Sequence, residues 1–394
     1  MKIKIVITII ILLALAFPES HAQRRNRSAP PERVQVTITP PPVKIVSPAA
    51  PGPKEMPRLE LFSDIITVIG VGDIMMGTNF PDESYLPPND GRDLLADVKA
   101  VLENATLTFG NLEGVLLDGE GTVKRCNNPD LCYAFRSPEN YIYNLVDAGF
   151  DMVSLANNHT GDFGSEGRKT TAAALSEAEM AFAGTLEYPM TLVERDGIKF
   201  GMAAFSPNVG TVSIHDYENA RQIVSKLKQQ ADIVIVSFHG GAEGPDHQNV
   251  PCETEMYYGE NRGNVCNFAR EVIDAGADIV FGHGPHVTRS VDLYKDRFII
   301  YSLGNFCTYA RFNLRGENGI APIVKVHTNR EGEFIMAEIT SIRLIGRGVP
   351  IVDISNRALR TLQRLLSEDF PDAELIIHDN GLIERKPVSE ATNP

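Results

Sequence analysis

The 394-residue chain has no tryptophan and only five cysteines. At 43% hydrophobic residues it can still bury a sizeable core, and its length allows one large domain or two smaller ones. Paired Cys-x-x-Cys spacing is missing, which weighs against a zinc knuckle. Cys126 with Cys132, and Cys252 with Cys266, instead bracket polar loops and are expected to pair locally, leaving Cys307 over. No glycine-rich phosphate loop occurs, and Ser206, Ser237 and Ser302 lack a nucleophile-elbow pattern, so neither P-loop nor serine-hydrolase chemistry has a footing. Positive charge is short as well. The net charge is −14, and residues 1–60 hold nine basic side chains against four acidic ones, so residues 61–394 carry −19. Such an acidic body excludes a broad nucleic-acid surface, which rests on phosphate neutralisation by Lys and Arg. An anionic ligand would have to be gripped locally, by a metal or a few arginines.

Long apolar runs are confined to the N-terminus. Lys2 and Lys4 precede the run Ile5–Phe17, and Ser20-His21-Ala22 supplies small residues at a cleavage site, so residues 1–22 read as a signal peptide. Export to the periplasm, the cell surface or the medium is expected, with membrane tethering if the segment stays uncleaved. The run is short for a membrane span, and no later stretch offers one. Residues 23–62, with Pro30-Pro31 and Pro40-Pro41-Pro42, read as a proline-rich tether that cannot pack a core. The globular domain is expected over 63–350, followed by a C-terminal helix and tail over 351–394 that pack on it.

Within that domain apolar strands alternate with helical patterns. The run 65–73 is a near-continuous buried strand ending in Gly72-Asp73. A helix is expected over Arg92–Asn104, then a strand 106–109 running into Gly110-Asn111-Leu112-Glu113. The unit repeats: helix 138–150, strand 151–156, Asn157-Asn158-His159, and an alanine-rich helix over 164–179. Residues 198–205 alternate as a strand of a second sheet or of an edge, helix 219–231 leads into strand 232–239 ending in His239, and helix 262–275 into strand 278–281. The run 298–306 follows as a further strand, and 320–345 as antiparallel strands. Strands alternating with helices of ten to fifteen residues predict an α/β fold with parallel sheet order and a mixed or second sheet late in the chain. In such architectures the ligand crevice lies beyond the carboxyl ends of the strands.

That is where the chemistry-bearing residues fall. Gly282-His283-Gly284-Pro285-His286 presents two imidazoles after an apolar strand, and Asp73, Glu113, Asn158, His159 and His239 stand at four other strand ends. Singly each has a bland explanation: a carboxylate capping a turn, an asparagine at positive φ, a satisfied core histidine. Together they form a mixed oxygen and nitrogen donor set suited to one or two divalent cations such as manganese, zinc or iron. A metal pair can clamp the attacking and leaving oxygens of a phosphoryl group while a histidine protonates the leaving group. His247, in a glycine-rich loop, reads as solvated, with a place lining the site as the alternative, and His215, His327 and His378 stand in no recognisable context.

The ordered series Val71-Gly72-Asp73-Ile74-Met75, Gly110-Asn111-Leu112-Glu113, Ala156-Asn157-Asn158-His159, Phe238-His239-Gly240, Gly282-His283-Gly284-Pro285-His286 and Tyr301-Ser302-Leu303-Gly304-Asn305-Phe306 resembles the motifs of the CapA family. These are capsule or poly-γ-glutamate synthesis proteins, similar to calcineurin-like metallophosphatases. The resemblance implies a four-layer α/β/β/α sandwich, with Asp73, Glu113, Asn158, His239, His283 and His286 at metal positions and His159 at that of a proton donor. Asp73 would act in catalysis as well as ligation. It also implies an anionic polymer such as poly-γ-glutamate, or another envelope substrate, and capsule synthesis or export proteins as partners. Two readings follow: a metal-dependent hydrolase of a phosphoester or γ-glutamyl polymer, and a non-catalytic polymer-binding, export or attachment component. Three departures mark the chain: Met75 where metallophosphatases carry a histidine, Glu113 where they carry a bridging aspartate, and the wider spacing His283-Gly284-Pro285-His286.

Overall fold

The computed structural model describes residues 65–125 and 132–387. The expected signal segment and tether, and Cys126, lie outside these residues. Four strands begin the chain's larger sheet: β1 (Ile66–Met75), β2 (Leu107–Leu112), β3 (Met152–Ser154) and β4 (Ala181–Ala183), all parallel. A second sheet then forms from β5 (Met190–Arg195), β6 (Ile198–Phe205), β7 (Ile233–His239), β8 (Ile279–His283), β9 (Val291–Tyr294) and β10 (Arg297–Ile300). The chain returns to the first sheet with β11 (Asn305–Thr308), β12 (Ile320–Thr328), β13 (Phe334–Ile345), β14 (Val349–Val352), β15 (Leu375–Ile377) and β16 (Leu382–Arg385). The larger sheet thus has ten strands, ordered β15-β16-β13-β12-β1-β2-β3-β4 with β11 beside β1 and β14 beside β13; the smaller has six, ordered β9-β10-β8-β7-β6-β5. The α/β class and the parallel strand order expected from the alternation are both present.

Strand alternation sorts the core. Ile66 and Val68 of β1, Phe109 of β2 and Met152 of β3 share one buried cluster with Phe200, Ile235, Phe281 and Phe298 of the smaller sheet, so the two sheets face each other. Ile69 and Val71 point the other way and pack with α1 (Lys99–Leu102), α2 (Ile142–Asp147) and α3 (Gly164–Glu177) through Leu102, Leu145 and Leu175. On the outer side of the smaller sheet, Val234 and Val236 meet Val224 and Leu227 of α4 (Tyr217–Lys228) and Phe268 and Val272 of α5 (Val265–Asp274). A last helix, α6 (Arg357–Asp369), buries Leu359, Leu362 and Leu366 in the cluster between the sheets. At about 25 cal/mol per Å² of apolar surface removed from water, these three clusters supply the dominant stabilisation.

Three expectations change. Only Lys99–Leu102 of the helix expected over Arg92–Asn104 is α-helical. The preceding segment is a run of turns, with Leu94 N–H bonded to Gly91 C=O at 3.0 Å and Val98 N–H to Leu95 C=O at 3.1 Å. Leu94, Leu95 and Val98 are buried all the same, because apolar spacing reports which face is covered, not which hydrogen-bond ladder forms. The 138–150 helix shortens to a 3₁₀ turn, Glu139–Tyr141, and α2. The run 298–306 is two strands in two sheets: it leaves the smaller sheet after Ile300 and enters the larger at Asn305, turning at Gly304 with φ +65°. Cys252 and Cys266 are bonded, Cys307 is free and buried, and Cys132 is disulfide-bonded.

Candidate metal centre

A break in β1 builds the first part of the site. Ile69 and Val71 face the outer helices and so does Ile74, which means that the odd-outward parity switches between Val71 and Ile74. Pairing with β2 shifts register between Gly70 and Asp73 at the same place. Such a bulge re-aims side chains, and here it turns Asp73 toward the smaller sheet. Two glycines make the approach possible. A Cβ on Gly70 would lie 2.6 Å from the Phe281 ring, and one on Gly72 would lie 1.9 Å from Gly304 O.

Asp73 is fully buried. Its Oδ1 accepts from Asn111 Nδ2 at 2.8 Å, and its Oδ2 lies 3.0 Å from His286 Nδ1. Asn111 is held in turn by Asn157 Nδ2 at 3.0 Å. Glu113, one residue past β2, is also fully buried; its Oε1 lies 3.6 Å from His286 Nε2 and 3.9 Å from His159 Nε2. Ligand atoms of Asp73, Glu113 and His286 all fall within 4.8 Å of one another. His286 takes a left-handed backbone, φ +57°, and its carbonyl accepts from Asn305 Nδ2 at 3.2 Å and Asn318 Nδ2 at 3.1 Å, so two hydrogen bonds hold the backbone that carries the ring to the carboxylates. A non-glycine residue in this region carries strain, which the surrounding bonds offset.

His283 and His239 sit at the ends of β8 and β7, paired in register, and stand beside this trio without belonging to it. His283 donates from Nε2 to the Val71 carbonyl at 3.2 Å, a tautomer required because a carbonyl only accepts; its Nδ1 is left as a buried lone pair with no partner. His239 has no partner at either ring nitrogen, and its ring centre is 6.4 Å from that of His286. Asn158 Oδ1 and both oxygens of Glu113 are likewise buried without a partner. Leaving these acceptors unsatisfied costs about 1–3 kcal/mol each, and a cation held by Asp73, Glu113 and His286 would satisfy the Glu113 carboxylate among them. The donor set therefore fits a divalent metal of borderline softness.

Electrostatics point the same way. Burial pushes Glu113 well above the ordinary carboxylate range. Burial opposes ionisation of Asp73 too, but the hydrogen bond and charge of His286, with His283 and Asn111, hold it below its usual value. Burial alone would depress His286, yet Glu113 and Asp73 outweigh it and raise the imidazole to about 10. Burial keeps His283 neutral, down to about 4, and burial with the Arg262 charge pushes His239 well below its ordinary value. A cation at this place would take over the role of the His286 proton.

His159, six per cent exposed, occupies the rim. Its Nδ1 lies 2.7 Å from Asp162 Oδ2, and Asp162 is held by Lys124 Nζ at 2.5 Å and by the Phe135 N–H at 2.6 Å. Burial lowers its pKa against the pull of Asp162, which leaves a neutral ring whose Nε2 faces Glu113. Asp162, three residues on from His159, carries no motif signal in the sequence. Phe312 and Asn318 had no signal at all, since the loop that carries them follows the last motif. A groove of about 480 Å³ opens beside His286, with Glu243, Tyr257, Phe312 and Asn318 on its walls. His247 also lines it, 5.8 Å from Tyr257, and is exposed, so its loop is solvated and forms part of the groove wall. Met75 directs its sulfur to Gly77 N–H at 3.3 Å.

Residues 67–310 match the profile of a family described as bacterial capsule synthesis protein PGA_cap. The chain is 32% identical over 263 residues to the capsule biosynthesis protein CapA of Bacillus anthracis, a match covering 61% of this chain and 59% of that one. It is 26% identical over 272 residues to the PGA biosynthesis protein CapA of Bacillus subtilis, covering 65% and 67%. Among solved structures, a purple acid phosphatase from yellow lupin seeds aligns with a TM-score of 0.36 and 13% identity over 74% of this chain and 55% of that one, too distant to bear on the site. The chain thus spans less than two thirds of the Bacillus anthracis protein's length.

Proposed function

Since the chain belongs to the bacterial capsule synthesis PGA_cap family, we propose that it is an exported, metal-dependent hydrolase acting on a phosphoester or γ-glutamyl bond of an anionic envelope polymer. The observation that carries the reading is the convergence of Asp73, Glu113 and His286 within 4.8 Å, with unpartnered acceptors of His239 and His283 at neighbouring strand ends and of Asn158 in the loop after β3. Asp73, Glu113 and His286 would hold the cation, with Asn158, His239 and His283 as the further candidate donors, and when bound it supplies Lewis acidity and a lowered pKa for water. Asn111, itself held by Asn157, orients Asp73, while His286 does most to keep its carboxyl ionised. Asp162 holds the Nδ1 proton of His159, so the neutral ring presents a lone pair at Nε2, on the side of Glu113, which can take up a proton from water and then pass it to a leaving group. Phe135, 4.2 Å from the imidazole, keeps water from its flank. The Cys252–Cys266 bond suits an oxidising compartment and so supports export; no helix among the described residues is long and apolar enough to cross a membrane.

A second reading, polymer binding without turnover, draws support from Met75, a thioether where hard ions favour other donors. One experiment separates the two. The protein is loaded in turn with manganese, zinc and iron, its metal content is measured, and poly-γ-glutamate and a chromogenic phosphoester are offered. Turnover that follows the metal and disappears in His159→Ala while the metal stays bound is the expected result. Metal retention with no cleavage of either substrate class selects binding, and turnover unchanged in both His159→Ala and Asp73→Ala defeats the hydrolase.

A further inference from the structure

Helix α6 lies away from the metal residues, yet it carries three arginines, Arg357, Arg360 and Arg364, along one exposed stripe at i, i+3 and i+7. They line a single cavity of about 330 Å³ together with Thr361 and Glu317. In an acidic chain of net charge −14 this concentration of guanidinium groups stands out. Helix stability explains only part of it, through the i, i+4 pairs of Arg357 with Asp353 and of Arg364 with Glu368. Like charges at this spacing repel, cations in a first turn oppose the helix dipole, and the first turn of α6 has no acidic residue.

The arginines are positioned but not consumed. Among the described residues, the side chain of Arg357 bonds Asp353 through Nε alone, at 2.9 Å, and that of Arg360 bonds only the Ser355 carbonyl. Arg364 donates to Glu368 at 2.7 Å and Gln248 at 2.9 Å. Each guanidinium has five N–H donors, so most remain available for an incoming carboxylate.

The cavity also adjoins the groove of the metal centre. Glu317 lines the arginine cavity, while the next residue, Asn318, lines the groove and donates to the His286 carbonyl at 3.1 Å. Both belong to one 3₁₀ turn, Gly316–Gly319, so a ligand crossing that turn passes from one depression into the other. We infer that the arginine stripe of α6 is a second binding site, which holds the carboxylates of an anionic chain whose neighbouring units occupy the groove beside His286. The ligand class is a polycarboxylate. The inference rests on the proposed polymer substrate, but it concerns binding and not bond cleavage.

The test uses fluorescently labelled poly-γ-glutamate and the full chain. Arg360→Gln with Arg364→Gln spares the Arg357–Asp353 pair. It is expected to weaken polymer binding about tenfold or more and to reduce the dependence of log affinity on log salt by about two, one per lost ion contact. Hydrolysis of a small chromogenic phosphoester and metal content should not change, and Arg360→Lys with Arg364→Lys should retain most of the affinity. Unchanged polymer affinity and salt slope in the Gln variant, with its circular dichroism and melting intact, overturns the inference, as does a wild-type chain that binds no polymer at low salt. Displacement of the polymer by equimolar pyrophosphate would equally overturn it, by making the site a phosphate site. A chain that cleaves nothing but shows these binding differences disproves the hydrolase and leaves the second site standing.

Discussion

Asp73, Glu113 and Asn158 leave strand ends of the larger sheet, whereas His239, His283 and His286 leave those of the smaller one or the loop that follows it. One sheet presents oxygen and the other nitrogen, and neither alone offers the mixed set that a borderline cation favours. The contacts that join them cross the interface: His286 to Asp73 at 3.0 Å, His283 to the Val71 carbonyl at 3.2 Å, and Phe109 stacked on Phe281 at 5.5 Å. The site is therefore a product of docking. Whatever separates the sheets should dismantle the metal centre, and whatever moves a donor from one side to the other should change its stoichiometry.

The largest expected effect comes from removing one donor on either side. Asp73→Ala and His286→Ala should each lower metal affinity at least ~100-fold, more than loss of an outer-shell partner costs, and elemental analysis after dialysis reads it; full metal retention in both would place the cation elsewhere. Next comes the interface itself. Gly70→Leu drives a side chain into Phe281 and should destabilise the fold by about 3 kcal/mol, the upper end of overpacking, with metal lost in parallel; denaturant melts against metal content check the coupling. Met75→His sharpens the comparison by putting nitrogen on the oxygen sheet, two residues past Asp73 in β1. Metal bound per chain should rise by one, and an unchanged ratio would show that Met75 does not address the site.

The smallest effect serves as a control remote from both sheet ends. Asp353 accepts from Ser355 Oγ at 2.6 Å and Arg357 Nε at 2.9 Å in front of α6. Burial opposes its ionisation, but those bonds bring its pKa from 3.8 down to about 2. A folded pKa below the unfolded one contributes stability that is fully present above pH 3.8 and is lost as pH falls toward 2. Asp353→Ala should cost about 1 kcal/mol at neutral pH, as loss of a helix-end carboxylate does, and the gap from wild type should close between about pH 4 and pH 2. Melting temperatures across that range test it, and metal content should stay unchanged.

How much of this was legible beforehand follows from where each signal lies. Gly-Asn-Leu-Glu and His-Gly-Pro-His are local strings at strand ends, and a strand end is recognisable because its apolar run stops. Helix hydrogen bonding in 92–98 was not legible, because turns and helix bury the same spaced leucines. Nor was the division of 298–306 between two sheets, since a buried strand and a buried crossing have the same apolar composition. The supporting residues Asp162, Asn305 and Asn318 are ordinary polar residues in sequence, and become partners of His159 and of the His286 carbonyl only in space. His247 is exposed, as its glycine-rich loop suggests, and the fold lays that solvated loop along the groove.

The sequence by itself determined the residue types of the site, their order along the chain and their placement at strand ends, because local apolar periodicity sets where strands begin and stop. The tertiary structure alone decided that a bulge in β1 turns Asp73 inward, that Gly70 and Gly72 admit the opposing chain, and that oxygen donors from one sheet meet nitrogen donors from the other. The physical reason is range. Periodicity acts over a few neighbouring residues, whereas the His286–Asp73 contact joins positions 213 residues apart, which only the packing of two complete sheets can bring together.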